Sequence, residues 1–160
     1  MRNVILNAAF LAILLPGGVT QTEVAAQEPP GDGPFAVEYY YKIRWGHVGE
    51  WMELYRKNHY PVLVREMELG RIVDMYAAFP VNHAGEGSRW DFRFTIVFRS
   101  AADAYDRSFD SGPIIDELYP DRETFEREEQ RRFQLLEEHL DVPVIRDDLS
   151  EWETTTPTGR

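Results

Sequence analysis

Residues 54–70 of the chain are LYRKNHYPVLVREMELG, and this stretch predicts a helix that is interrupted at Pro61. Proline lacks an amide proton and disfavours a helical conformation at the residue before it. The helix therefore either kinks here, or ends near Asn58 and is followed by a second short helix with Pro61 in its first turn. In both cases His59 and Tyr60 lie at the interruption, where their side chains can point into a cavity.

Segments typical of β-strands flank this helix. Residues 35–43 (FAVEYYYKI) and 90–99 (WDFRFTIVFR) alternate strictly between apolar and polar side chains, which indicates strands with one buried face. Residues 72–79 predict a strand between them, and Gly70 is a suitable stop for the preceding helix. Residues 80–89 form a loop that is too long for a tight hairpin.

The second half of the chain predicts further helices and a last strand. Ser100 makes a capping-box-like start to a first helix, and Asp121 can cap a long charged helix over residues 123–140, whose role the sequence leaves open. A short strand is expected within residues 142–152. It should lie at the edge of the sheet, because Pro143 cannot donate a hydrogen bond to a neighbouring strand.

This order of elements predicts an α+β fold, a ferredoxin-like βαββα(α)β sandwich with a four-stranded antiparallel sheet. Helices cover one face of such a sheet, so the apolar row of each strand should lie beneath them. The other face is either open to water, or is paired with that of a second copy in a closed barrel with a polar pocket. In a barrel, Arg93 would need an ion pair or a ligand. That face is expected to present Glu38, Tyr40, Lys42, Asp74, Tyr76, Asp91, Arg93, Thr95 and Arg99.

The succession of YYYKI, LYRKNHYPVL, IVDMYAAFP and WDFRFTIVFRS resembles the dimeric α/β barrel superfamily. That group includes antibiotic-biosynthesis-type monooxygenases, EthD-type proteins, stress-responsive barrels with polyketide cyclases, and rhamnose mutarotases. Residues 55–61 (YRKNHYP) are similar to the Tyr-x3-His-x-Pro segment of EthD-type and mutarotase-like members. The long helix after Asp121 departs from the pattern, so no subfamily is favoured. The resemblance implies a homodimer with a small-molecule pocket in each subunit, and His59 as the counterpart of the family histidine.

The candidate chemistry centres on His59. A neutral imidazole can act as a general base near pH 7, with Tyr40 or Tyr60 polarising a substrate oxygen and Arg93 holding an anionic group. Such a site suits proton abstraction next to a carbonyl, cyclisation, isomerisation or cofactor-free oxygenation; alternatively, His59 is a packing residue satisfied by a neighbouring carbonyl. The candidate catalytic residues are thus His59, Tyr40 and Arg93, and the candidate substrate-binding residues are Glu38, Tyr60, Asp74, Tyr76, His83 and Asp91.

No metal or organic cofactor is expected. No pair among the four histidines has metal-ligand spacing, and the fingerprints of serine nucleophiles, phosphate loops, zinc sites and dinucleotide sites are absent. Haem bound through His59 or His83 is an alternative that rests on the resemblance alone. A cofactor-independent enzyme and a non-catalytic binding or stress-related protein both remain open, because a fold does not decide function.

Residues 1–26 predict a secretory signal peptide, with a positive start, an apolar run over residues 4–15 and a small-residue cleavage site at residues 24–26. The apolar run of about 12 residues is shorter than the roughly 20 needed to span a bilayer, so no stable membrane insertion is expected after cleavage. We therefore expect a bacterial periplasmic or secreted protein. Residues 27–34 are a flexible linker, residues 35–152 a single domain and residues 153–160 a disordered tail.

The charge and cysteine content exclude several classes of protein. The formal net charge of −11 repels phosphate backbones, and no basic stripe offsets it, so nucleic acid is not an expected partner. The chain has no cysteine, which excludes a disulfide-stabilised miniprotein.

Overall fold

The computed structural model describes residues 33–82, 84–146 and 149–152, and within them the chain forms one four-stranded antiparallel sheet. Its strand order is β2-β3-β1-β4, which is that of the ferredoxin-like split βαβ arrangement. The predicted fold class is therefore confirmed. The predicted signal peptide, residues 27–32 of the linker, the tail and His83 lie outside the described residues. The strands are β1 (Phe35–Ile43), β2 (Ile72–Ala78), β3 (Phe92–Phe98) and β4 (Leu136–Val144).

The helix that contains Pro61 continues through the proline. Helix α1 (Val48–Leu54) passes into a π-helical turn (Tyr55–His59) and then into α2 (Tyr60–Glu68). The segment thus stays helical past Asn58, as in the first of the two alternatives, while Pro61 lies in the first turn of α2, as in the second. The segment ends as predicted at Gly70, whose φ of 77° favours glycine.

The end of α2 is a Schellman motif. The amide of Gly70 donates to the Met67 carbonyl at 2.9 Å, and the amide of Arg71 donates to the Glu66 carbonyl at 3.1 Å. These bonds satisfy carbonyls that have no partner within the helix. The strand β2 begins directly afterwards, at Ile72.

Helices α3 (Ala101–Ala104), α4 (Gly112–Leu118) and α5 (Arg122–Gln134) follow β3. The predicted caps are present, since Ser100 accepts from the Asp103 amide and Asp121 accepts from the Thr124 amide, both at 3.1 Å. Helix α4 begins at Gly112, and Pro113 in its first turn has the fixed φ that suits a helix start.

The prediction for the last strand was wrong in its position. The charged helix ends at Gln134 rather than at residue 140, and β4 begins at Leu136 rather than within residues 142–152. Most of β4 is exposed, so its sequence does not show the alternation of apolar and polar residues that marks a half-buried strand. Pairing with β1, including Tyr41 opposite His139, overrides the local helical preference. Pro143 lies on an edge strand, as predicted.

The core between the helices and the sheet is aromatic. Trp51 and Tyr55 project from the helical segment and pack against Tyr41 and Phe92. The ring centroids are 4.8 Å apart for Tyr41 and Trp51, 5.0 Å for Trp51 and Tyr55, and 5.2 Å for Tyr55 and Phe92. Stacked, tilted and edge-on aromatic pairs at these separations stabilise a core beyond their burial. This cluster fixes the helical segment on the sheet.

A buried arginine joins three strands at one end of the sheet. The side chain of Arg89 is only 2% exposed; it pairs with Asp91, reaches Glu137 on β4 at 3.0 Å and donates to the Ile43 carbonyl at 3.1 Å. Asp91 also accepts from the Ile43 amide at 2.7 Å. Asp91 thus pairs with Arg89 in this network, whereas the carboxylate beside Arg93 among the described residues is that of Glu38.

Replacing Asp91 with alanine should destabilise the fold. The change removes the acceptor of the Ile43 amide and one anionic partner of buried Arg89, so we expect the free energy of unfolding to fall by about 3 kcal/mol. Urea denaturation at pH 7 measures this loss. The control is Asp74→Ala, which removes an exposed carboxylate and should cost less than about 1 kcal/mol. Equal losses in the two variants would contradict a structural role for Asp91.

Candidate functional site

Two cavities lie between the helical segment of residues 48–68 and the sheet, and Tyr55 borders both. The first, which we call the His59 cavity, has a volume of 290 Å³ and a polar aromatic lining. The second, the methionine groove, has a volume of 590 Å³ and lies against the edge strand β2. The His59 cavity is lined by, among others, Tyr39, Tyr41, Tyr55, His59, Glu66, Arg71 and His139.

The π turn positions His59. Because Pro61 has no amide proton, the carbonyl of Lys57 lacks the donor that an α-helix would supply. The hydroxyl of Tyr119 replaces it, lying 2.8 Å from the Lys57 carbonyl and 3.0 Å from the Asn58 carbonyl. The side chain of Asn58 is buried and donates to Glu128 of α5 at 3.0 Å. Contacts from α5 and from the connection that precedes it therefore fix this turn.

His59 is a neutral residue in the folded protein. Its ring lies 5.0 Å from the ring of Tyr55, between the helix and the sheet. Burial lowers the pKa of His59 to about 3, and the charges of Arg132 and His139 act in the same direction. A neutral imidazole can donate from one ring nitrogen and accept at the other. Such a low pKa makes hydrogen bonding to a ligand a better use of His59 than proton abstraction near pH 7.

Tyr55 has a buried hydroxyl with no hydrogen-bond partner among the described residues. The residue is only 2% exposed. The hydroxyl of Tyr41 lies close enough to act on the pKa of Tyr55 as a side-chain hydrogen-bond partner, but the two groups make no hydrogen bond of normal geometry. Burial raises the pKa of Tyr55, so the group remains a donor at all physiological pH values. A buried hydroxyl without a partner costs about 1–3 kcal/mol, which a bound water or ligand would offset.

The opposite wall of the His59 cavity is formed by β1 and β4. The ring of His139 stacks on Tyr41 with the centroids 4.5 Å apart, and its Nε2 lies 3.0 Å from Asp141. Burial lowers the pKa of His139, while Asp141 opposes the shift. Burial also raises the pKa of Tyr39 to about 12. The wall is therefore aromatic and carries hydroxyl donors.

A further part of the cavity lining is an ion pair. The carboxylate of Glu66, on α2, pairs with the guanidinium of Arg71 at 2.5 Å. Arg71 also donates to the Asp103 carbonyl at 2.6 Å and lies over the Phe109 ring at 4.4 Å. These charges already have partners, so the cavity presents no free charge from this pair to a ligand.

The predicted site residues are divided between the two faces of the sheet. Tyr40 donates to Glu38 at 2.5 Å, and Arg93 lies 3.5 Å from the same carboxylate. Strand alternation places these three on the face opposite Tyr41, which packs against the helices. His59 is on the helix side. The structure thus gives Arg93 its expected ion pair but does not bring Tyr40 and Arg93 to His59.

The remaining predicted residues lie elsewhere. Tyr60 borders the methionine groove and is partly exposed. Asp74 and Tyr76, on β2, pair in register with Val97 and Thr95 on the polar face and also border the groove. His83 lies outside the described residues.

Sequence reasoning missed the tyrosine and histidine side chains that line the His59 cavity beside His59 itself. These are Tyr39, Tyr41, Tyr55 and His139. Two signals were present, namely the assignment of Tyr39 and Tyr41 to the helix-facing row of β1, and the spacing of four between Tyr55 and His59, which places both on one side of a helix. His139 gave no such signal, because its segment was interpreted as helix.

The described residues contain no group of three or more histidine, aspartate or glutamate side chains that could hold a metal ion. A cavity of 290 Å³ is near the lower end of the roughly 300–1,000 Å³ of small-molecule sites, so we expect a ligand smaller than haem beside His59.

Within the part of the chain that is described, no helix is long and apolar enough to cross a membrane.

No protein-family model matches the chain, and no curated protein matches it. Several solved structures are similar. A NIPSNAP family protein from Agrobacterium tumefaciens is 17% identical over 73% of this chain and 89% of its own, with a TM-score of 0.46. A dimeric protein of unknown function with a ferredoxin-like fold from Bacteroides fragilis is 11% identical over 70% and 95%, with a TM-score of 0.43. A DABB family protein with a ferredoxin-like fold from Mesorhizobium loti is 13% identical over 72% and 99%, with a TM-score of 0.38.

At these identities and scores the neighbours single out no subfamily of dimeric α/β barrels. The fold assignment rests on the strand order of the chain itself.

The pKa of His59 predicts a pH dependence of stability. Its folded pKa of about 3 lies below the ordinary pKa of 6.5, so between these values the unfolded state binds a proton that the folded state does not. The free energy of unfolding should therefore fall as the pH drops below 6.5, by up to about 1.4 kcal/mol per pH unit from this group. Urea denaturation of the wild type and His59→Gln between pH 4.5 and 7 measures it.

The variant should show a shallower decline with falling pH than the wild type. His47→Gln is the control, because the side chain of His47 is 42% exposed at the start of α1 and should leave the slope nearly unchanged. Identical slopes in the wild type and His59→Gln would show that His59 is not buried as a neutral group.

Proposed function

We propose that this protein binds a small organic molecule in the His59 cavity, with a hydrogen-bond acceptor of the ligand facing the hydroxyl of Tyr55. The observation that supports this most directly is the Tyr55 hydroxyl itself, which is buried and has no partner among the described residues. The adjacent neutral imidazole of His59 offers a second polar contact. Apolar cavities with a few convergent polar groups are the usual form of small-molecule sites.

The lining also limits the chemistry of the ligand. Aromatic walls formed by Tyr41, Tyr55 and the ring of His139 favour a planar, largely apolar molecule. Glu66 and Arg71 neutralise each other at the cavity, so an uncharged ligand fits better than an ion. A small aromatic carbonyl compound has these properties.

A catalytic role is the second candidate. The proximity of a Tyr55 donor and a His59 acceptor is suited to polarising a carbonyl and removing a neighbouring proton, as in isomerases, cyclases and cofactor-independent monooxygenases. Against it stands the low pKa of His59, which makes this imidazole a weak base. Binding is therefore the primary proposal, and His59 is assigned to ligand contact. The pattern of residues 1–26 supports binding in the periplasm or outside the cell.

Acetophenone and ethylbenzene form a pair of probes for the Tyr55 site, because both carry a two-carbon substituent on a phenyl ring and only acetophenone has a carbonyl acceptor. We expect the protein to bind acetophenone at least tenfold more tightly, since a site with a buried donor rejects an analogue that cannot pair with it. Ligand-observed NMR competition gives both dissociation constants. Equal affinities would overturn the assignment.

Variants locate this discrimination at Tyr55. Tyr55→Phe should bind the two probes about equally, because the donor is gone and the ring remains. Tyr105→Phe, which removes an exposed hydroxyl outside the cavity lining, is the matched control and should keep the preference for acetophenone. Loss of the preference in the control alone would place the site elsewhere.

We further propose that two copies pair through the polar face of the sheet. Leu140 and Val142 of β4 lie in register with Tyr40 and Glu38 on this face and are 48% and 38% exposed. Exposed apolar side chains beside an ion-paired polar cluster are suited to an interface between copies. Arg146, two residues beyond β4, lies over the Tyr76 ring at 5.1 Å and covers another part of the same face.

Leu140→Glu should shift the protein from dimer to monomer, because it places a carboxylate opposite Tyr40 in the proposed interface. Native mass spectrometry across a concentration series gives the dissociation constant, which we expect to rise at least tenfold. Val81→Glu is the control, since Val81 is 96% exposed in the loop after β2. A monomeric wild type, or a variant with wild-type dimerisation, would contradict the pairing.

A further inference from the structure

The methionine groove differs from the His59 cavity in its chemistry. Its volume of 590 Å³ is about twice as large, and it lies between the helical segment and the edge strand β2. Methionine side chains are unbranched and flexible, so such a lining adapts to apolar chains of different shape. The apolar walls include Met52, Val64, Met67, Met75, Phe92 and Phe94.

Arg56 supplies a positive charge at this groove. Its residue is exposed and borders the groove, and no hydrogen bond or ion pair joins its side chain to any described residue. Other arginines nearby are paired, for example Arg65 with Glu68 and Arg71 with Glu66. An arginine without a partner is notable in a chain that has 28 acidic and 17 basic residues. A guanidinium group matches the geometry of a carboxylate, which it can bind through two parallel hydrogen bonds.

From this combination we propose that the methionine groove is a second binding site, which takes a single-chain amphipathic anion with its carboxylate on Arg56 and its alkyl chain along the apolar walls. The chemistry is that of a medium-chain fatty acid. The proposal is separate from the aromatic ligand of the His59 cavity, because it rests on Arg56 and the methionines.

Isothermal titration calorimetry of the full chain with decanoate, below its micelle concentration, tests the site. We expect decanoate to bind at least tenfold more tightly than decanol, because only the acid makes a charge-assisted hydrogen bond to Arg56, and such bonds are the stronger class. The affinity should fall with increasing salt, since the guanidinium is exposed. Equal affinities for acid and alcohol would overturn the inference.

Paired variants assign the effect to the groove. Arg56→Gln should weaken decanoate binding about tenfold, to the level of decanol. Arg107→Gln makes the same change in charge at an exposed arginine that borders neither cavity, and it should bind decanoate like the wild type. Equal weakening in the two variants would show that net charge, rather than a site, determines binding.

The two proposals fail independently. Arg56→Gln should keep its preference for acetophenone over ethylbenzene, and Tyr55→Phe should keep its preference for decanoate over decanol. If the wild type binds decanoate and decanol equally tightly but still prefers acetophenone to ethylbenzene, only the groove site is contradicted. The reverse result would remove the proposed function of the His59 cavity alone.

Discussion

The missing amide proton of Pro61 is the constraint on which the candidate site depends. An α-helix that continued regularly through this residue would leave the Lys57 carbonyl without a donor. The chain widens into a π turn instead, and the hydroxyl of Tyr119 donates to the Lys57 carbonyl, with the Asn58 carbonyl also within hydrogen-bond distance. Single π turns within helices occur frequently at functional sites. Here the turn holds Tyr55 and His59 over the sheet, where two cavities meet.

The C-terminal helices matter to the site because their contacts hold this turn in place. Tyr119 follows α4, and Glu128 on α5 binds both Lys57 and the buried amide of Asn58. Arg132, also on α5, is buried and lies over the rings of Trp51 and Tyr55. The charged helix α5, whose role the sequence left open, therefore holds the π turn in place through these contacts.

The parts of the fold that the sequence predicted are those in which one physical effect dominates. Strict alternation identified β1 and β3, whose burial is one-sided and strong. Gly70 marked a helix end because few other residues adopt the positive φ that this position requires. The strand β4 was missed because pairing with β1 determines it, and a distant partner leaves no local pattern. The same error concealed His139.

The candidate site was predictable in part for the same reason. The proline break identified His59 from local chemistry alone. Grouping His59 with Tyr40 and Arg93 required knowing which face of the sheet each residue occupies, and the alternation of β1 places Tyr40 on the face opposite Tyr39 and Tyr41. Neighbouring residues in the run YYY thus lie on opposite sides of the sheet, so closeness in sequence was a poor guide to closeness in space.

Tyr55 borders both cavities, and this shared wall has a thermodynamic consequence. A rotation of its ring that enlarges one cavity reduces the other, because the ring has fixed volume. Any occupant that shifts the ring therefore changes the free energy of filling the neighbouring space, and linkage requires the effect to be equal in the two directions. The aromatic side chain at the centre of the core is thus a wall of both cavities.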